Sequence, residues 1–232
     1  MVMGQHTLPG NPPVEVILRK SARARRISLR VSRLDGRVTL TLPPHASERE
    51  ALAFAQEKAD WLRRQLAARP AETRVGVGYA LPVEGQSLLL QSAETGRAPR
   101  IEGELLLVPG PESRAAARAM AFLKLRARDR LAAASDRYAA RLGLSYASLT
   151  LRDTRSRWGS CTADGALMYS WRLIMAPPAV LEYVAAHEVA HLAEMNHAPA
   201  FWQTVARIHG PYAEPRGWLK RQGHHLHQYR FD

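Results

Sequence analysis

A chain of 232 residues can bury a proper core as one large domain or two small ones, and an apolar content of 46% is ordinary for a soluble globular protein. Its longest apolar run, Leu173 to Leu181, is broken by Pro177 and Pro178 and stops at Glu182, which excludes a membrane-spanning helix there. Thirty-three Lys and Arg against 21 Asp and Glu leave a net charge of +12, a field that favours polyanions.

The N-terminus, MVMGQHTLPGNPP, has neither the basic start nor the apolar stretch of a secretory signal. The single cysteine, Cys161, excludes an internal disulfide and fits a reducing compartment. The expectation is a cytoplasmic protein.

The first elements read as strands. Val14 to Leu18 is short and β-branched, and Ile27, Leu29 and Val31 alternate with Ser28 and Arg30. Asp35-Gly36 supplies a hairpin turn before Val38, Leu40 and Leu42. Cationic residues crowd this region, from Arg19 and Lys20 through Arg23, Arg25, Arg26, Arg30 and Arg33 to Arg37. Arg suits phosphate because its planar fork binds two oxygens at once, so Arg23, Arg25, Arg30 and Arg37 are candidate contacts for weak, non-specific nucleic-acid binding. A solvated basic face is the plainer reading of the same charge.

Ser47 with Glu50 three residues on forms a capping box, and a helix is expected from there to about Ala68, broken by Pro70. Its apolar stripe is Ala51, Phe54, Ala55, Trp61, Leu62 and Leu66, read as core. Strand-like runs follow at Ser87 to Gln91 and Leu105 to Val108. Pro109-Gly110-Pro111 marks the expected domain boundary, giving a β-rich region over 14–110 and a second region over 111–232. A long Ala- and Arg-rich helix then runs to Leu142, stopped by Gly143. A strand near Leu149 to Arg152 and a loop through Cys161 come next. Asp164-Gly165 makes a turn, Ala166 to Leu173 is strand-like, and Pro177-Pro178 opens another helix.

That helix carries His187-Glu188-Val189-Ala190-His191, the HExxH pattern of the zincins. Residues four apart lie one turn above each other on one helical face, so two imidazoles can share a metal while Glu188 reaches a water beside it. Zinc in a catalytic site takes a third protein ligand and keeps its fourth position open. His197 lies six residues past His191, and an unbroken helix would rotate it about 240° away. It can join the site only if the helix ends first. Asn196, which tolerates a left-handed conformation, and Pro199, which can open a new helix, supply such an ending. Glu214 is the rival third ligand, without a spacing argument as sharp.

The block Arg157-Trp-Gly-Ser-Cys161, then Trp171-Arg-Leu, Tyr183-Val, HEVAHLAEMNH and Phe201-Trp202, resembles the YgjP-like metallopeptidases, bacterial relatives of the SprT and WLM proteases. The resemblance extends to the Arg-rich stretch from Ser21, the Leu42-Pro-Pro turn and the helix bearing Trp61. It implies one zinc per chain held by His187, His191 and His197, with Glu188 as catalytic residue. Glu194 stands where metzincins require Gly, which counts against a metzincin turn. Ser170 stands where many relatives show Asn.

The other candidates are fewer. Arg157 is placed to hold a substrate anion or to brace its loop, and Tyr212 and His209 to stabilise an oxyanion. Cys161 lacks a visible base and is read as structural. Ala166 to Ser170 is the expected edge strand for an extended substrate. The expected fold is α+β, a β-rich N-terminal part followed by a zincin-like helical core with a small sheet. The expected function is zinc-dependent peptide hydrolysis of a protein or peptide substrate, with no membrane partner. The alternatives are a zinc hydrolase of a non-peptide substrate and a nucleic-acid-associated zinc protein without proteolysis.

Overall fold

The structure, a computed structural model, describes residues 2–32, 36–67 and 72–232. It divides into two compact units, Met1–Ala71 and Glu72–Asp232. Arg33, Asp35 of the expected hairpin turn, and Pro70 lie outside the described residues.

The first unit is a four-stranded sheet with two helices. Its strands are β1 (Val2–Leu8), β2 (Val14–Lys20), β3 (Ser28–Val31) and β4 (Val38–Leu42), in the order β1-β2-β4-β3. β1, formed by a stretch with no sequence-level strand signal, pairs antiparallel with β2. β2 and β4 run parallel, and their alternate residues Val14, Val16, Leu18, Val38, Leu40 and Leu42 are buried. Against these pack Ala51 and Ala55 of α1 (Glu48–Glu57) and Ala59 and Leu62 of α2 (Ala59–Ala67). The capping box forms as expected: Ser47 Oγ accepts from Glu50 N–H at 3.2 Å, and Glu50 accepts from Ser47 N–H at 2.9 Å. The expected single helix is two, with Lys58 between them. The buried stripe runs through Ala51, Ala55, Ala59 and Leu62 and leaves Trp61 38% exposed, so its assignment to the core stripe is corrected.

The second unit holds the rest of the chain. A short strand β5 (Thr73–Arg74) is followed by β6 (Ala80–Val83), β7 (Gln86–Ala93), β8 (Arg100–Glu102) and β9 (Leu105–Pro109). The last four form a sheet in the order β6-β7-β9-β8, with β7 and β9 parallel and the outer pairs antiparallel. This repeats the topology of the first unit's sheet, a likeness invisible in the residues themselves. Then come α3 (Ala115–Leu142), β10 (Ser148–Arg152), β11 (Gly159–Cys161), β12 (Ala166–Ser170), α4 (Pro178–Ala190), α5 (Pro199–His209), α6 (Ala213–Gln222) and β13 (Tyr229–Arg230). Gly143, with φ 67°, ends α3 in the left-handed conformation that glycine adopts without strain.

The division at Ala71 and Glu72 differs from the one expected near residue 110. Leu81, Leu88, Leu90, Leu106 and Val108 from the β6–β9 sheet share one core with Leu123 and Leu131 of α3 and with Val184 and Val189 of α4. Pro109-Gly110-Pro111 therefore links a strand to the helix packed on it. A composition break marks a bend as readily as a boundary.

The small sheet β10-β12-β11 positions the site. β12 is its middle strand, parallel to β10 and antiparallel to β11. Both edges of β12 are thus occupied, and the edge strand beside α4 is β11, not Ala166 to Ser170 as expected. The residues after Ser170 form a 3-10 turn, Trp171–Met175, rather than continuing the strand.

Arg172 in that turn ties β11's approach loop to the C-terminal segment. Only 7% exposed, it grips Asp153 with two nitrogens at 2.7 and 3.1 Å and donates to the carbonyls of Leu226 and Tyr229 at 2.9 and 3.0 Å. Beside it the His227 ring lies 5.2 Å from Trp158, which precedes β11. Burial, then the Arg172 charge, push His227 down to about 4, with Asp153 opposing. Folded His227 therefore refuses a proton that the unfolded chain accepts below about 6.5. Its contribution to stability is complete above that pH and is lost as pH falls toward 4. Urea unfolding of metal-free protein at pH 6.5 and 4.5 should show a smaller loss for His227→Gln than for wild type. An equal loss in both would reject the assignment.

Candidate metal centre

α4 is buried on nearly every side, as its run Val180, Leu181, Val184, Ala185, Ala186, Val189 and Ala190 requires. Its last turn presents His187 and His191 with Glu188 between them. The helix then stops. His191, Leu192 and Ala193 bond back three residues, to Glu188, Val189 and Ala190, so the chain tightens into 3-10 geometry and turns away. Asn196 does not adopt the left-handed conformation expected of it; Glu84 is the one non-glycine residue with positive φ among the described residues. Instead its side-chain oxygen accepts from Ala198 N–H at 3.0 Å, closing the turn just before Pro199 opens α5.

This turn delivers His197. One nitrogen from each of His187, His191 and His197 lies within 4.8 Å of the others, and Nε2 of His197 is 3.0 Å from Nε2 of His187. Phe201 of α5, fully buried, supports all three rings from below, with centroids 4.9, 4.4 and 4.7 Å away. Nδ1 of His191 lies 2.9 Å from the Glu194 carbonyl, which can only accept, so the proton sits on Nδ1 and Nε2 keeps its lone pair. Burial first, then the neighbouring His191 and His197, drive His187 down to about 3, and burial also lowers His191. Three converging imidazole nitrogens, two of them held neutral by burial, are the donor chemistry that a borderline divalent metal such as zinc takes. Glu214, in the first turn of α6 and exposed, is not in this donor group, and neither is Cys161.

Glu188 is 6% exposed, and burial lifts its carboxyl to about 8, partly offset by the Arg157 charge. Its carboxylate lies against the backbone of Gly159. A Cβ at that position would stand 2.5 Å from Glu188 Oε1, 2.6 Å from Cγ and 2.7 Å from Cδ, all closer than real contacts allow. The demand on Gly159 is for space, since the clash reaches Cγ and not only the flexible end. A cavity of about 240 Å³ opens here, lined by Gly159, Ser160, Cys161, Met195, Glu188 and the three histidines.

The remaining candidates sit around this centre. Arg157 is exposed and acts on Glu188 through its charge. Tyr212 stacks between Tyr183 and Trp202, at 6.1 and 5.5 Å, on the rim rather than in the cavity. His209 lies behind Tyr183, whose ring meets both His209 and His187. Burial and the Glu188 charge raise the Cys161 thiol, the opposite of what a nucleophile requires. Ser170 binds through its backbone, its N–H donating to the Trp158 carbonyl at 2.8 Å, while its hydroxyl is buried without a partner among the described residues. Arg23, Arg25, Arg30 and Arg37 are all exposed in the other unit. In the sequence Gly159, Met195, Phe201 and Trp202 stand out only through the family resemblance, because a glycine in a loop, a methionine in a turn and aromatics on a helix carry no spacing signal of their own.

No helix among the described residues is long and apolar enough to cross a membrane. No curated protein matches the chain. A solved structure, described as the crystal structure of the metallopeptidase zymogen of Pyrococcus abyssi abylysin, is similar over 40% of this chain and 95% of its own, at 18% identity and a TM-score of 0.36. Residues 25–222 match the family described as YgjP-like, metallopeptidase domain, a span that takes in β3 through α6 and every residue of the histidine cavity. A chain matched over that length, with three histidines and a glutamate gathered as a metallopeptidase needs them, belongs to the YgjP-like metallopeptidase family.

Proposed function

We propose that the chain is a zinc peptidase in which His187, His191 and His197 hold the metal and Glu188 moves the proton. The observation that carries this reading is the convergence of three imidazole nitrogens beside a buried glutamate on the wall of one small cavity. Zinc, when bound, supplies the charge that makes water nucleophilic near neutral pH and polarises a carbonyl. Glu188 takes the proton of the attacking water on its carboxylate and returns it to the leaving amine. Its burial suits that duty: a carboxyl lifted to about 8 holds a proton readily, while a dication nearby favours the ionised form at the start. β11 pairs on one side with β12, and its free edge is the place for an extended substrate to add a strand. Arg157, beside Glu188, is placed to steady an anionic group, and Tyr212 to line the approach.

A second reading concerns the basic stretch. Arg19, Arg23, Arg25, Arg26 and Arg30 are exposed and form no ion pair among the described residues, which supports weak contact with nucleic-acid phosphates. Reversing Arg23, Arg25 and Arg30 to Glu should weaken binding of labelled single- and double-stranded DNA and flatten its salt dependence. Undiminished binding by the variant would leave the stretch as a solvated face.

For the metal, His197→Ala should lose most of its zinc, while Glu188→Gln keeps zinc and loses hydrolysis. Elemental analysis beside a peptide-cleavage assay reads both. Full zinc occupancy in His197→Ala, or wild-type cleavage by Glu188→Gln, would overturn the respective role.

For the seat of the glutamate, Gly159→Ala should retain zinc and fold but lower kcat about 100-fold with little change in KM, because a misplacement near 1 Å costs that much. Steady-state kinetics would contradict this if kcat stayed at the wild-type value.

A further inference from the structure

Next to the histidine cavity, the end of α5 and the start of α6 enclose a second and larger groove of about 970 Å³. Its lining includes the apolar Ala206, Pro211 and Tyr212, and the only charged lining residues among the described residues are Arg216 and Lys220. These are four apart on α6 and so share one face. Both are exposed, and neither forms an ion pair among the described residues, Glu214 on the same helix included. Two cations facing a groove with no acid to answer them are poised for an anion from elsewhere.

The groove is coupled to the metal centre through one ring. Trp202 lies 5.7 Å from both His187 and His197, stacks on Tyr212 at 5.5 Å, and carries the Arg216 guanidinium 4.3 Å above its face. That stacking orients the Arg216 fork and leaves its N–H donors free for a carboxylate. An extended peptide rises about 3.3 Å per residue, so a chain crossing the histidines reaches Arg216 within a few residues of the bond being cut.

We propose that this groove is a specificity subsite that receives a carboxylate of the substrate, either an Asp or Glu side chain or the terminal carboxylate. Arg216 and Lys220 form the ion pairs, and Pro211 and Tyr212 carry the adjoining apolar atoms. The proposal rests on the peptidase reading and names the substrate chemistry that reading leaves open. A peptide fits better than a nucleic acid here because the charge is two cations in a cavity rather than a stripe tracking a phosphate backbone.

The test uses the full-length, zinc-loaded Glu188→Gln protein, which can bind peptides without relying on turnover. Three fluorescent peptides of one length are compared at physiological salt: one with a single Asp and an amidated end, its Asn counterpart also amidated, and the Asn peptide with a free terminal carboxylate. At least one carboxylate peptide should bind about tenfold tighter than the amidated Asn peptide, and which one does so identifies the source. Adding Arg216→Glu and Lys220→Glu should abolish that preference with zinc content and Tm unchanged. Arg49→Glu with Arg64→Glu, an equal change of net charge at exposed positions of the other unit, should leave it intact. Equal binding of all three peptides, persistence of the preference in the α6 variant, or its loss in the Arg49/Arg64 variant would overturn the subsite. So would a single-stranded oligonucleotide that displaces the Asp peptide while binding the α6 variant less tightly than the parent. Cleavage by the Glu188-intact enzyme separates the two ideas. Carboxylate preference in binding with no hydrolysis of any peptide refutes the peptidase reading alone, and hydrolysis without preference refutes the subsite alone.

Discussion

A helix places residues four apart above one another and residues six apart on different faces, so the third histidine can meet the first two only where the helix stops. The arrangement of the three donors follows from that constraint. α4 tightens at His191 into bonds that reach back three residues, Asn196 closes the turn with its side chain, and Pro199 starts a helix in a new direction. The new helix brings Phe201 under all three imidazoles, and the Glu194 carbonyl made available by the turn fixes the proton of His191. One stop signal therefore sets the position, support and tautomer of the donors together.

The glutamate is held by a different constraint. Its pocket exists because residue 159 has no side chain, and residue 159 is held by its pairing with Tyr169 of β12, while Arg172, buried and bound at four points, ties the loop before β11 to the C-terminal segment. Parts of the chain far apart in sequence thus converge on one carboxylate. Burial on that scale also accounts for its raised pKa, since little but the Arg157 charge opposes the loss of water.

The histidines and the turn between them were legible because ligand spacing and helix geometry are local. Gly143, the Ser47 capping box and Pro199 were legible for the same reason. What the residues did not disclose depends on partners distant in sequence. A strand's place at the edge or centre of a sheet is decided by what pairs on either side, so the edge role expected of Ala166 to Ser170 fell to β11, in a stretch read as loop. The unit boundary fell at Ala71 because apolar residues of β6–β9 are spent on the core of α3 and α4, a choice that a Pro-Gly-Pro run does not encode. Asn196 ended the turn by its side chain rather than its backbone, two routes that look alike in sequence.

X-ray absorption at the zinc edge of the metal-loaded protein measures the donor set without reference to any substrate. The account predicts three imidazole nitrogens at about 2.0–2.1 Å and one further light atom. A sulfur at about 2.3 Å, which only Cys161 or a methionine could provide, or a shell with two imidazoles and a carboxylate, would contradict it.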